Sequence, residues 1–116
     1  MVEFHYEKCG SNKDVLAVVL SGRLDAEQCD YLFGCMEHLI AGGFAKLILD
    51  CRDLQAISSV GLGMLVRVHS RMKRVGGDVK LAGVHGAAAS VISLVHLDRV
   101  FQLYPTVEAA VDAHGG

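Results

Sequence analysis

The stretch from Leu49 to Gly63 constrains the fold more than any other part of the sequence. An apolar run ends there, two adjacent serines follow, and a glycine-flanked pattern typical of a helix begins. Serine is favoured at the start of a helix, where the first backbone N–H groups have no partner within the helix. The stretch therefore predicts a junction between a strand and a helix, with Ser58 and Ser59 at the helix start.

Short apolar runs predict strands elsewhere in the chain. Val15 to Ser21 is continuously apolar up to its last residue and too short for a stable helix, which is typical of a buried strand that Gly22 to Asp25 would end. Phe44 to Leu49 predicts a further strand, ending at Asp50. Shorter extended segments are predicted at Phe4–Glu7, within Asp78–Gly83 and at Val100–Tyr104.

Apolar residues spaced by three and four predict helices between these strands. The first begins after Asp25 and ends at Gly42, the second runs from Ser58 or Ser59 to about Val75, and a third falls within Ala87–Leu97. The last covers Val107–Ala113, with Thr106 as a favourable N-cap. This alternation predicts an α/β sheet layered with helices, and the length of 116 residues suits a single domain over residues 1–116.

Composition excludes several classes of partner. The formal net charge is −2 and the basic residues are dispersed, so nucleic acid is not an expected partner. No apolar stretch approaches the roughly 20 residues that span a bilayer, which predicts a cytoplasmic protein without membrane insertion. The four cysteines are irregularly spaced and are expected to be free thiols.

Patterns for catalysis, metal binding and phosphate cradling are absent. The sequence has Ser-Val-Gly but no Gly-x-Ser-x-Gly elbow, and none of its six histidines belongs to a catalytic motif. It lacks Cys-x-x-Cys and His-x-x-x-His pairs, and Gly61 and Gly63 bracket a single leucine without a following lysine. We therefore expect neither an enzyme nor a bound cofactor or metal.

The two serines allow two interpretations. One is that either residue merely caps the helix; the other is that one caps while its neighbour faces solvent as a phosphorylation site, with the phosphate beside the positive end of the helix.

Two details favour a surface that binds a partner. Gly61 is expected to leave backbone open to another chain, and Leu62 and Val66 flank the buried stripe. Arginines on the same helix offer either a basic strip or an ordinary solvated face: Arg67, Arg71 and Arg74.

The sequence resembles the STAS domain family, and within it the stand-alone bacterial anti-sigma factor antagonists, over nearly its whole length. The pieces that carry the resemblance are Ser21-Gly-Arg-Leu-Asp25, Leu47-Ile-Leu-Asp50, Ile57-Ser-Ser-Val-Gly-Leu-Gly63, Gly76-Gly77, Val79-Lys-Leu-Ala-Gly83, Leu97-Asp-Arg-Val-Phe101 and Thr106-Val-Glu-Ala-Ala110. The resemblance implies a small mixed β-sheet of four to five strands with about four α-helices largely on one side.

The resemblance also implies a regulatory site. In the family pattern Ile-Asp-Ser-x-Gly-Leu the phosphorylated serine lies two residues before the glycine, which here is Ser59, and Ser58 stands in the usual aspartate position. The implied partners are an anti-sigma factor of the serine-kinase ATPase type, bound when Ser59 is unphosphorylated, and a serine phosphatase. The predicted contact residues are Asp25, Ser58, Ser59, Val60, Gly61, Leu62, Val66 and Arg67. The alternative function is a constitutive STAS subunit of a membrane-transport ATPase complex or a sensory scaffold.

Overall fold

The structure, a computed structural model, describes residues 5–9 and 14–114, with the backbone alone described for residues 5–9 and for Gln28. Strands and helices alternate along the chain. The strands are β1 (His5–Cys9), β2 (Val15–Leu24), β3 (Lys46–Ile57), β4 (Asp78–Ala82) and β5 (Gln102–Tyr104). The helices are α1 (Ala26–Ala41), α2 (Ser59–Arg74), α3 (Gly86–Leu94) and α4 (Val107–Ala113), with a short 3-10 helix at Leu97–Arg99.

The strands form one sheet in the order β1-β2-β3-β4-β5. β2 to β5 are parallel to one another, because each of their connections contains a helix that returns the chain to the same edge. β1 is antiparallel to β2, which makes the sheet mixed. The predicted α/β class, strand number and mixed direction are confirmed.

Alternate side chains of the strands enter two separate apolar layers. Leu16, Val18 and Leu20 of β2 belong to the larger layer, which α1, α2 and α3 cover. Val15 and Ala17 point to the opposite face, where they pack with Ile48, Ala82 and Ala110 of α4 in a smaller layer. The helices therefore lie largely on one side of the sheet, as the family resemblance implies.

The two strands that lead to the serine pair are longer than predicted. β2 continues through Gly22, whose φ of 73° suits glycine, to Leu24, and its pairing with β3 contains two register shifts. β3 continues past Asp50 because the buried Asp50 carboxylate is satisfied by Arg52, which lies two residues away on the same face and donates to both carboxylate oxygens at 2.7–3.1 Å. The prediction that β3 ends at Asp50 is wrong.

The remaining boundaries differ from prediction by only a few residues. α3 ends at Leu94, and His96 turns the chain with a φ of 61° into the 3-10 helix, so β5 begins only at Gln102. α4 has the predicted bounds, and Thr106 Oγ1 accepts a hydrogen bond from Ala109 N at 3.1 Å. Phe4, at the start of the first predicted strand, lies outside the described residues.

Candidate functional site

Ser58 is the N-cap of α2. Its hydroxyl accepts a hydrogen bond from Gly61 N at 3.1 Å and donates to Leu24 O at 2.9 Å, and its backbone N–H donates to the same carbonyl at 3.0 Å. The cap is therefore attached to the last residue of β2, 34 residues earlier in the chain. These bonds use the hydroxyl proton of Ser58 within the fold, as expected for a structural cap.

Ser59 is the first residue of α2 and faces solvent. Its hydroxyl makes no side-chain hydrogen bond to any residue in the described part of the chain. The first turn of α2 contains no acidic residue, so the partial positive charge of the helix start is not offset by a carboxylate there. Ser59 consequently presents a free hydroxyl beside a backbone that favours negative charge.

Gly61 and Gly63 have opposite surroundings. Gly61 is buried, and a Cβ placed on it would lie 2.7 Å from Leu24 O and 2.9 Å from the Ile57 side chain. Its backbone is therefore approached by β2 and not by another protein, and the prediction that it lies open is wrong. Gly63 is exposed, with nothing within 4 Å of its Cβ position. Its spacing of four residues from Ser59, which places both on one helix face, is the signal that could have identified it.

Apolar side chains stand on both sides of Ser59 and Gly63. Val60 is 52% exposed and Val66 is 40% exposed, although both are large apolar residues. Leu62 is half-buried because it packs against the main apolar layer. The outward side of α2 thus combines small residues with exposed valines, and Leu62 contributes only its outer edge.

The basic residues of α2 differ in how they are held. Arg67 is exposed and its guanidinium carbon lies 4.2 Å from the centre of the Phe33 ring on α1, in a cation–π contact. Arg71 Nε donates to both carboxylate oxygens of Glu37 at 2.8 and 3.0 Å, which offsets its charge. The predicted basic strip is therefore not uniform. Arg71 is paired with Glu37, whereas Arg67 forms no salt bridge with a carboxylate among the described residues.

Asp25 lies at the same edge of the molecule, directly after Leu24. Its carbonyl accepts the hydrogen bond from Cys29 N at 2.9 Å that begins α1. The end of β2 therefore positions the starts of both α1 and α2. The structure thus places Asp25 next to the residue on which the Ser58 cap is anchored.

The cysteines and the possible metal ligands of the described residues were the other groups of chemical interest in the sequence. Cys29, Cys35 and Cys51 are free, as predicted, while the Cys9 side chain lies outside the described part. Burial, with the Asp50 carboxylate as a further cause, raises the pKa of the Cys51 thiol to about 12, so it stays protonated and poorly nucleophilic. Among residues 14–114 no group of His, Cys, Asp and Glu side chains is arranged to hold a metal ion. None of the helices in this part of the chain has the length and apolar character needed to cross a membrane.

Similar proteins are found over almost all of the chain. A candidate anti-sigma factor antagonist of Thermotoga neapolitana is 26% identical over 102 residues, which cover 86% of this chain and 89% of that protein. The crystal structure of an anti-sigma factor antagonist from Mycobacterium paratuberculosis superposes with a TM-score of 0.85 at 25% identity, covering 97% of this chain and 93% of the other.

A more distant structure shares the fold. The Bacillus cell fate determinant SpoIIAA in its phosphorylated form superposes with a TM-score of 0.73 at 20% identity and covers 96% of this chain and 98% of its own. The antagonists that this chain resembles are regulators and not enzymes. The model of the STAS domain matches residues 10–110, so the chain belongs to the STAS domain family.

Proposed function

We propose that this chain is an anti-sigma factor antagonist whose binding to its partner is controlled by phosphorylation of Ser59. The partner is an anti-sigma factor of the serine-kinase ATPase type, which binds the unphosphorylated chain and also phosphorylates it, and a serine phosphatase reverses the modification. The observation that carries the proposal is the exposed Ser59 hydroxyl, which is unbonded within the described residues, at the start of α2. Because the kinase uses ATP, we place this switch in the cytoplasm.

The hydrogen bonds of the two serines support Ser59 as the acceptor. Phosphorylation of Ser58 would remove the proton donated to Leu24 O and would crowd the Gly61 N–H, so it would cost the N-cap. Phosphorylation of Ser59 breaks no side-chain hydrogen bond to a described residue. It adds about −1.5 to −2 charge at a helix start, which tolerates negative charge without refolding.

The surface around Ser59 supports a protein partner. Val60 and Val66 are apolar area that a partner can bury, and Gly63 allows a partner to approach the helix backbone closely. Arg67, held by Phe33, is a positioned cation that an acidic partner side chain can meet. We propose that Asp25, Ser58 and the outer edge of Leu62 complete the rim, while Gly61 supports the surface from inside.

The dianion would weaken this interface by two routes. It must be desolvated when the partner covers Ser59, and it repels the acidic group that Arg67 attracts. The desolvation cost acts on the assembled interface and raises the dissociation rate, whereas the repulsion also lowers the association rate. The fold of the antagonist itself stays unchanged.

The proposal is tested by binding of the cognate kinase to the wild type, Ser59→Ala and Ser59→Glu. We expect Ser59→Ala to bind as the wild type does and Ser59→Glu to bind at least about tenfold more weakly, equivalent to roughly 1.4 kcal/mol. Ser90→Glu, which adds the same charge on an exposed serine of α3, is the matched control and should bind normally. Equal affinity for all of these variants would contradict the switch.

The second candidate function is a constitutive STAS subunit that docks through the same helix. The observation that favours it is Ser58, which stands where the family pattern has aspartate. Intact-mass measurement after incubation with the kinase and ATP separates the two functions. A mass increase of one phosphate in the wild type that is absent in Ser59→Ala supports the switch, whereas an unchanged mass favours the constitutive subunit.

A further inference from the structure

A second exposed apolar surface lies away from the start of α2. Leu94 is 78% exposed, and three further large apolar residues within the next nine positions are also exposed. The members of this surface, which we call the α3–β5 patch, are Leu94, Val95, Val100 and Leu103. It surrounds the 3-10 helix and reaches the edge of the sheet.

The patch rests on a well-fixed framework. Leu97 and Phe101 are buried in the main apolar layer, and the Phe101 ring contacts the His69 ring of α2 edge-on, with 5.2 Å between their centres. Directly before Leu97 the chain turns at His96, which takes a left-handed conformation at a φ of 61°. The exposed apolar residues are therefore held outward by anchored neighbours and are not loose side chains.

The patch includes a groove beside the edge strand. β5 is the last strand of the sheet, and its outer edge pairs with no other described strand. Near α3 and β5 lies a cavity of about 410 Å³, whose lining includes the apolar Val84, Ile92 and Leu103 and the polar Ser93 and Asp98. An apolar ridge next to a groove of mixed polarity is a shape that a second protein surface can fill.

Two charged residues of the 3-10 helix that the patch surrounds indicate which protein surface binds there. Asp98 and Arg99 are adjacent, exposed and opposite in charge, and neither forms a salt bridge with any residue of the described chain. A two-fold interface brings the same patch of each subunit together, so it requires a surface that complements itself. A neutral apolar patch that carries one acid beside one base meets this requirement.

We propose that the α3–β5 patch is the interface of a weak homodimer. Leu94 and Val95 of one copy pack against the groove of the other, and Arg99 of each copy faces Asp98 of its counterpart. Ser59 lies ten residues, or about 15 Å of helix, before His69, the residue of α2 that touches this region. The dimer therefore leaves Ser59 and the start of α2 free.

Sedimentation and light scattering test the dimer. For the wild type we expect the mass to rise from 12.4 kDa toward twice that value as the concentration increases from about 10 μM to about 1 mM, the range of weak interfaces. Leu94→Asp should remain a monomer throughout. Val60→Asp, which adds the same charge on an exposed apolar residue at the start of α2, should dimerise as the wild type does.

A charge exchange tests the two-fold arrangement. Asp98→Arg and Arg99→Asp should each weaken dimerisation at least tenfold, because each places like charges opposite one another. The double variant should recover most of the lost affinity. A chain that stays monomeric at every concentration, or a double variant no better than the single ones, would overturn the proposal.

The kinase-binding measurement keeps this proposal separate from the previous one. Leu94→Asp should bind the kinase normally, and Ser59→Glu should dimerise normally. Loss of kinase binding in Leu94→Asp would show that the patch belongs to the kinase interface and would overturn its assignment to a second copy.

Discussion

The inward and outward sides of the first turn of α2 use the same residue types for opposite purposes. Ser58 and Gly61 face the end of β2, where one supplies hydrogen bonds to Leu24 and the other supplies the space for that carbonyl. Ser59 and Gly63 face solvent, where the hydroxyl and the backbone are open. The difference separates an open, unbonded surface from the bonds that hold the helix in place, so the modification that we propose at Ser59 would not disturb those bonds.

The largest expected effect comes from replacing each of the two glycines of α2, Gly61 and Gly63, with valine. Gly61→Val forces a side chain against Leu24 O and Ile57, so the free energy of unfolding should fall by roughly 3 kcal/mol, the upper part of the range for overpacked sites. The side chain of Gly63→Val meets open space, so this variant should change the free energy of unfolding by less than about 0.5 kcal/mol. Urea unfolding measures both, and similar losses in the two variants would show that the sides of α2 are not distinct.

The two serines give the next largest difference. Ser58→Ala removes the N-cap and leaves the Gly61 N–H without its partner, so it should cost about 1 kcal/mol of stability. Ser59→Ala removes no side-chain bond to a described residue and should stay within about 0.5 kcal/mol of the wild type. If thermal unfolding ranks Ser59→Ala as the less stable variant, the assignment of cap and acceptor is reversed.

A smaller effect is expected from negative charge at Ser59. Ser59→Glu supplies the acidic group that the first turn of α2 lacks and should raise the free energy of unfolding by about 0.3–1 kcal/mol at low salt. The gain should shrink in about 1 M salt, where screening is strong. The same variant is expected to lose kinase binding, so stability and binding should move in opposite directions. A destabilised Ser59→Glu would indicate an inward-facing residue.

The smallest effect concerns the opposite face of the sheet and tests whether acid sensitivity originates away from the site. Burial lowers the pKa of His114, whose ring nitrogen lies 3.0 Å from Leu47 O, below its ordinary 6.5. The unfolded chain therefore binds protons first as the pH falls. The contribution of His114 to stability is fully present above about pH 6.5 and is lost as the pH falls from there through the lower pKa of the folded state. His114→Gln should flatten the change in urea midpoint between about pH 7.5 and about pH 5.5.

His38→Gln, an exposed histidine on α1, is the control for this measurement and should leave the pH dependence intact. If the two variants behave alike, His114 does not set the acid sensitivity.

Local patterns in the sequence were sufficient for much of the fold. The bounds of α4 follow from Thr106 and the three-residue reach of its cap, and α2 follows from apolar residues at spacings of three and four. The length of β3 did not follow, because a polar Asp50 can be buried only when Arg52 reaches back to it. That pairing depends on an extended backbone from Asp50 to Arg52, which the local sequence does not predict.

The site was predicted less completely for a related reason. Ser58 and Ser59 were located by the helix start, but their separate roles depend on the carbonyl of Leu24, far away in the sequence. The same carbonyl makes Gly61 obligatory and leaves Gly63 free. The position of Arg67 over Phe33 also depends on how α1 packs against α2, which no local spacing specifies.

The double hydrogen bond from Ser58 to Leu24 has a consequence for timing. Because the start of α2 is bonded to the end of β2, the backbone that carries the Ser59 hydroxyl is held in place before any partner arrives. In the proposed switch, modification of Ser59 would change the charge of this surface without a slow rearrangement of the chain. The response time of the proposed switch would therefore be set by the turnover of the kinase and the phosphatase, and the antagonist itself would add no delay.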